Sequence, residues 1–342
     1  MRIFQIDFFV PKRVGLSRVI SRASLSRNLE GIPFPNRSTS VWVEDLKQRT
    51  KNLYQKYFAP RRYQWVQLDT VPIHTLERFY FQSLIPKEVF DNPSNRYLIY
   101  NNNKGILVNY LDHLQIFSVT TGLNLNRIYQ DVNKLDNLIE KDFDYAYSEE
   151  WGYLTSYPNR LGTGMDLSIT IHLPALSLLY GEDRFSQWMR DKDLQVKNIL
   201  GEDGLIGHIY RFSNLYSLGV AELKMVNNLK KFGCTLSRWE KQVKETFKNN
   251  SLRSQELEEA VVMKGRQLYR SSHFSIKDIF DFLSIWTLAR QCGIFSPRKG
   301  LKLLEVKEIL QKIWGNDSSL RKECINILRF FRVISGEELC DV

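Results

Sequence analysis

Residues 151–166 read WGYLTSYPNRLGTGMD, a run from Trp151 to Asp166 interrupted by Gly152, Pro158, Gly162 and Gly164. Glycine and proline at this density mark looped chain rather than a regular element. Directly after it, Ile169, Ile171 and Leu173 alternate with polar residues, the period of a strand with one buried face. Upstream, Tyr97–Tyr100, Ile106–Val108 and Leu114–Val119 are short runs rich in Ile, Val, Leu and aromatics. They are separated by Asn101-Asn102-Asn103-Lys104-Gly105 and by Leu111-Asp112-His113, and strands so closely spaced pair antiparallel. Ile206 to Phe212 reads as a further strand, and Ile128, Val132, Leu135 and Ile139 recur at helical spacing. The pattern predicts an α+β fold, an antiparallel sheet flanked by helices.

From about Leu223 the strand signals fade and the chain reads as helical. Ser275 is placed as an N-cap, followed by Ile276, Ile279, Phe280, Leu283 and Trp286 on one face, with Gly293 just past the stop. Leu303, Val306, Leu310 and Ile313 make another stripe, and Leu320, Cys324, Ile327, Leu328 and Phe331 the last. A boundary is expected near Asn250-Ser251, dividing the chain into a domain over 1–250 and an all-α domain over 251–342.

A chain of 342 residues with 43% hydrophobic content is long enough for a substantial core. No apolar run approaches the roughly 18 residues of a membrane span, and Phe8-Phe9-Val10 is stopped by Pro11, so a cytoplasmic protein is expected, with no membrane partner. Cys234, Cys292, Cys324 and Cys340 are scattered without metal-ligand spacing; they read as reduced thiols, and no metal site is assigned. The balance of 48 Lys+Arg against 38 Asp+Glu gives +10, which favours anionic partners. Nucleic acid is not expected, because no basic run with interleaved aromatics is present.

The frame Gly152, Tyr153, Leu154, Thr155, Ser156, Pro158, Leu161, Gly162, Thr163, Gly164 resembles the signature of the ATP:guanido phosphotransferases, GYLT(S/C)CP, two residues, then LGTGLR. Further matches follow in order: Ser21 to Leu29, Asn109 to Gln115, His172 to Leu176, Gly201-Glu202, Ser213-Asn214 and Leu218-Gly219. The similarity spans about residues 20–330 and is strongest toward the bacterial protein-arginine kinases. It implies a phosphagen-kinase-like catalytic domain, ATP with Mg2+, and phosphoryl transfer to a guanidinium. For partners it implies an activator protein and an Hsp100-type unfoldase–protease; a homodimer is a further option. By motif position Ser21, Arg22, Lys197 and Gly201 fall on the nucleotide side, and Glu202 on the acceptor side as an aligning carboxylate.

Such a transfer needs cations that hold the triphosphate and carboxylates that orient the acceptor. Of the five arginines the family pattern uses, Arg22 stands, Lys197 replaces one, Ser24 and Gln115 replace two, and Asp166 reverses the fifth. In the motif that ends in Asp112-His113, Asn109 is kept and the acidic pair is replaced by Tyr110-Leu111, and the cysteine of the signature is Tyr157. A unit charge about 4 Å from a phosphate oxygen is worth up to roughly 4 kcal/mol at an effective dielectric near 20. Losing one preorganised donor costs roughly 100- to 1000-fold in rate. A catalytically impaired protein-interaction scaffold is therefore expected, with an active phosphotransferase of altered residues as the alternative.

Plainer readings stand beside these. Arg22 could support the fold, Glu202 could be a solvated loop residue, Asp112 and His113 could form a turn between strands, and His172 could be a structural histidine. Gly162-Thr163-Gly164 speaks for a retained loop, not for bound phosphate. At the far end, the phosphoarginine-recognition pairs of the resemblance fall near Ser318-Ser319 and Lys322-Glu323 and are not matched; Arg321 is a cation there that could still meet an anion.

Overall fold

The computed structural model describes residues 19–181, 194–197, 207–270 and 275–294. The stripes of 303–313 and 320–331, the pairs near 318–323, and Gly201 and Glu202 lie outside these residues.

The framework is one antiparallel sheet. Its strands are β1 (Val19–Arg27), β2 (Gln64–Gln67), β3 (Tyr97–Asn101), β4 (Lys104–Val108), β5 (Leu114–Thr121), β8 (Met165–His172), β9 (Leu194–Lys197) and β10 (Ile209–Asn214). They run in the order β2-β3-β4-β5-β1-β8-β10-β9. A separate short pair, β6 (Tyr147–Ser148) and β7 (Gly152–Tyr153), leads into the quoted tract, with β7 inside it. The strands expected at 97–100, 106–108 and 114–119 are β3, β4 and β5, and every neighbouring pair in the large sheet is antiparallel. The alternation at 169–173 lies in β8, which starts four residues earlier and ends at His172.

Register separates the sheet into two chemically different faces, because side chains two residues apart share a face. On one face lie Ala23 and Leu25 of β1, Ile116 of β5, Leu167, Ile169 and Ile171 of β8, and Tyr210 and Phe212 of β10, all buried. Helix α4 (Leu125–Ile139) covers part of this face, burying Leu125, Ile128, Val132, Leu135 and Ile139 at helical spacing. Helix α6 (Glu222–Asn249) covers the rest; a Cβ on its Gly233 would lie 2.9 Å from Ile169 Cδ1. Each such side chain taken out of water contributes about 1.5–3 kcal/mol.

The other face is polar at its centre. Arg22, Ser24 and Ser26 of β1, Gln115 of β5, Asp166, Ser168 and Thr170 of β8, and Arg211 and Ser213 of β10 all fall on it by register. The remaining helices are α1 (Ser40–Leu53), α2 (Ile73–Phe81), α3 (Lys87–Asp91), α5 (Pro174–Tyr180), α7 (Ser251–Arg270) and α8 (Ile276–Gln291). Glu240 of α6, fully buried, accepts the N–H groups of Ala175 and Leu176 at 3.0 Å each and so caps α5. Ser275 and Asp278 form a reciprocal capping box at the start of α8, and Gly293 follows its end at φ +74°. The chain breaks at Asn250 between α6 and α7, and α8 returns to the sheet, where Ser284 Oγ meets His172 Nε2 at 2.8 Å and His208 Nδ1 at 2.7 Å.

Candidate functional site

The quoted tract is held against the end of β1 by a buried polar network. Asn28 Nδ2 donates to Asp112 Oδ1 at 2.7 Å, and the same oxygen accepts the Ser156 N–H at 2.7 Å. His113 accepts the Leu29 N–H on Nδ1 at 2.9 Å and so donates from Nε2 to the Pro33 carbonyl at 2.9 Å. Burial lowers the His113 pKa, in keeping with a neutral ring. Asp112 and His113 do form part of the turn between β4 and β5, and both are interior, 2% and 0% exposed.

Arg27 is the second anchor. Its Nη1 donates to the carbonyls of Ser26 and Thr163 at 2.9 Å each, its Nη2 pairs with Asp136 at 2.7 Å, and its guanidinium lies 3.7 Å from the centre of the Tyr153 ring. The glycines of the tract answer to close backbone approach. A Cβ on Gly164, at φ +69°, would lie 2.6 Å from Ser26 O, and one on Gly152 would lie 2.6 Å from Gly162 O. Asn214 completes the frame, accepting the Leu167 N–H at 2.7 Å and donating to Met165 O at 3.0 Å.

The positions on the polar sheet face are of another kind. Arg22 lies at the centre of the polar face, partly accessible. Its Nη1 donates to Ser24 Oγ at 3.0 Å, Nη2 to Gln115 Oε1 at 3.5 Å, and Nε to Ser83 O at 3.4 Å. Two of these acceptors are the side chains that stand where the family pattern has arginine. Burial lowers the Arg22 pKa to about 10; Arg211 and Arg160 act in the same direction, while Asp166 opposes them. Asp166 is engaged by Arg160, with Oδ2 2.8 Å from Nη2. Tyr110 Oη donates to Glu88 Oε2 at 3.1 Å, and burial together with that carboxylate pushes the Tyr110 pKa well up. Tyr157, in place of the cysteine, is 47% exposed at the rim.

The expected site residues are thus distributed unevenly. Arg22 is on the polar face. Lys197 is the register partner of Arg211 on the edge strand β9. Ser21 is not with them: it is 0% exposed, donates to Gly122 O at 2.7 Å, and falls by register on the helix-covered face. Gly201 and Glu202 lie outside the described residues. Arg160 and Arg211 stand at none of the five arginine positions of the family pattern, and sequence reading passed over both. Arg160 is inside the quoted tract and Arg211 two residues before Ser213-Asn214, but only the strand register places Arg211 near Arg22, and only the turn at Pro158–Arg160 brings Arg160 there.

Neutral residues and a carboxylate stand at three positions where the family pattern has arginines that cradle a triphosphate. The described positions of the cradle carry Ser24, Gln115 and Asp166, and among the described residues no group of three or more His, Cys, Asp or Glu could hold a metal ion. Nor is any described helix long and apolar enough to cross a membrane.

Comparison with known proteins agrees with the fold and the tract. The family model described as ATP:guanido phosphotransferase, C-terminal catalytic domain, matches residues 44–243. The chain is 30% identical over 335 residues to a protein-arginine kinase of Clostridium kluyveri, covering 92% of this chain and 93% of that one. It is 28% identical over 323 residues to that of Clostridium acetobutylicum, covering 92% and 94%. Among solved structures, lombricine kinase superposes with a TM-score of 0.57 at 20% identity, covering 66% of this chain and 67% of that one. The substrate-free duplicated taurocyamine kinase from Schistosoma mansoni gives 0.56 at 22% identity, covering 68% of this chain and 33% of that longer one. At these identities the solved structures speak for the fold alone.

Proposed function

The chain belongs to the ATP:guanido phosphotransferase family, and we propose that it is a catalytically impaired, protein-arginine-kinase-like member that works as a protein-interaction scaffold. The observation that carries this reading is the Arg160–Asp166 pair on the polar face, 2.8 Å between Nη2 and Oδ2. A carboxylate at that position repels a triphosphate, and it also engages a neighbouring cation. Apart from Arg22, retained residues of the family pattern such as Asn28, Asp112, His113, Gly162, Gly164 and Asn214 serve hydrogen bonds and backbone approach inside the fold. Retention of the fold without its phosphate ligands is what a scaffold requires.

The rim supports a binding role. Tyr147, Trp151, Tyr157 and Tyr216 are 60%, 44%, 47% and 43% exposed on and around the tract, and exposed aromatics of this kind favour protein contacts. An activator protein and an Hsp100-type unfoldase–protease in the cytoplasm are the partners this reading expects. Calorimetric titration with Mg-ATP tests it; no saturable binding is expected, and micromolar affinity overturns it.

One observation favours the second reading, an active phosphotransferase with altered residues. Glu88, bonded to Tyr110, returns a carboxylate to the neighbourhood of the missing acidic pair. That reading requires turnover that Glu88→Gln or Glu202→Gln removes.

A further inference from the structure

Two buried guanidinium nitrogens of the candidate site have no hydrogen-bond partner, Nη1 of Arg160 and Nε of Arg211. Native proteins satisfy nearly all such donors, so a pair of them in one electrostatic neighbourhood points to a missing acceptor. Arg160 gives Nη2 to Asp166 and is left with Nη1. Arg22 bonds only neutral oxygens, of Ser24, Gln115 and Ser83. Among the described groups that act on Arg22, three guanidiniums counting its own thus face one carboxylate, Asp166.

The register gives the floor of this cluster. Ser168 pairs with Arg22 on one side and Ser213 on the other, and Thr170 pairs with Arg211. The three hydroxyl residues therefore lie on the same sheet face as the two arginines, in adjacent cross-strand rows, each no more than 6% exposed. Guanidinium forks above hydroxyl donors match a tetrahedral oxyanion, which accepts several charge-assisted hydrogen bonds at once. The described part of this site reaches from β1 across β8 to β10 and holds one carboxylate, Asp166.

We propose that Arg22, Arg160 and Arg211, over Ser168, Thr170 and Ser213, bind one compact phosphoryl dianion, as free phosphate or as a phosphate monoester. Two of the three cations come from outside the family's arginine positions, so the site is a rebuilt one. The inference rests on the reading that the triphosphate cradle has been lost.

The test is calorimetric titration of the full chain with inorganic phosphate, with phenyl phosphate and with Mg-ATP, at fixed ionic strength. Phosphate or the monoester is expected to bind saturably, with Arg211→Gln and Arg160→Gln each weakening binding about tenfold or more. Asp166→Asn strengthens it. Tighter binding of phenyl phosphate assigns the site to an esterified phosphoryl group, and tighter binding of phosphate to the free anion. Arg211→Lys and Arg160→Lys, which keep charge and lose the planar fork, give intermediate losses and guard against misfolding of the glutamine variants. Absence of saturable heat up to about 10 mM of both anions overturns the proposal. So does binding that is indifferent to Arg160 and Arg211 in variants whose near-ultraviolet circular dichroism matches the parent. Micromolar Mg-ATP binding that depends on Arg22 but not on Arg211 overturns the impaired-kinase reading instead, which separates the two failures.

Discussion

Asp166 and Arg160, six residues apart in one loop-and-strand tract, close on each other at 2.8 Å with both side chains more than three-quarters buried. Asp166 stands where the family pattern has an arginine, and Arg160 stands where that pattern has none, so the local charge has been redistributed within the tract. Asp166→Ala leaves Arg160 facing Arg22 and Arg211 without a counterion. It should cost about 1–3 kcal/mol, the range for a buried charged group deprived of its partner. In urea denaturation the double variant Arg160→Ala/Asp166→Ala should lose less than the sum of the single ones, and strict additivity would show that the pair is not coupled.

The glycines of the tract predict a fold defect, not merely a catalytic one. Gly164→Ala forces a Cβ to within 2.6 Å of Ser26 O at φ +69°. Because both the steric and the conformational penalties apply, destabilisation of more than about 1 kcal/mol is expected. A thermal midpoint unchanged from the parent contradicts the close approach.

Arg27 should be the least replaceable cation in the described chain. It ties β1 to Thr163, to Asp136 of α4 and to the Tyr153 ring at once. Arg27→Ala leaves Asp136 buried with only Tyr145 Oη as a described donor, a loss of about 3–5 kcal/mol. Arg27→Lys keeps the charge but not the fork, and should recover only part of it in chemical denaturation.

Acidification should unfold the junction between the sheet and α8. Burial depresses the pKa of His172 well below its usual value and that of His208 to about 4; Lys244 and His208 act in the same direction on His172, and Lys264 and Lys277 on His208, with Asp281 opposing. A histidine whose folded pKa is lowered favours the native state fully above the unfolded value near 6.5 and loses that contribution as pH falls toward the folded one. Between pH 7 and 5, His208 alone should remove roughly 2 kcal/mol of stability. Urea midpoints across that interval measure it, and a flat profile contradicts neutral, buried rings.

How much of this was legible in the sequence depended on periodicity. The α4 stripe, the strands β3 to β5 and the Ser275 cap follow from side-chain spacing and turn chemistry, which are local. What no local pattern carries is register: which face Ser21 takes against Arg22, and that Arg211 lies one row from Arg22 across β8. Ser21 was therefore grouped with the nucleotide side by motif adjacency, although its hydroxyl is spent on Gly122 O behind the sheet. Arg160 was in plain view inside the quoted tract; its role depends on the fold of the loop that brings it to Asp166. The burial of Asp112 and His113 was likewise hidden, because their partners Asn28 and Leu29 are distant in sequence.

On the proposed function, this chain keeps the ATP:guanido phosphotransferase fold and lacks its phosphoryl transfer. Mass-spectrometric detection of phosphoarginine on an unfolded basic protein, incubated with the full chain and Mg-ATP, tests it most directly. No phosphoarginine above the level of a reaction lacking the chain is expected, and no rescue by Asp166→Arg alone, because groups that act as a unit are not restored singly. Robust turnover that Glu202→Gln abolishes would contradict it.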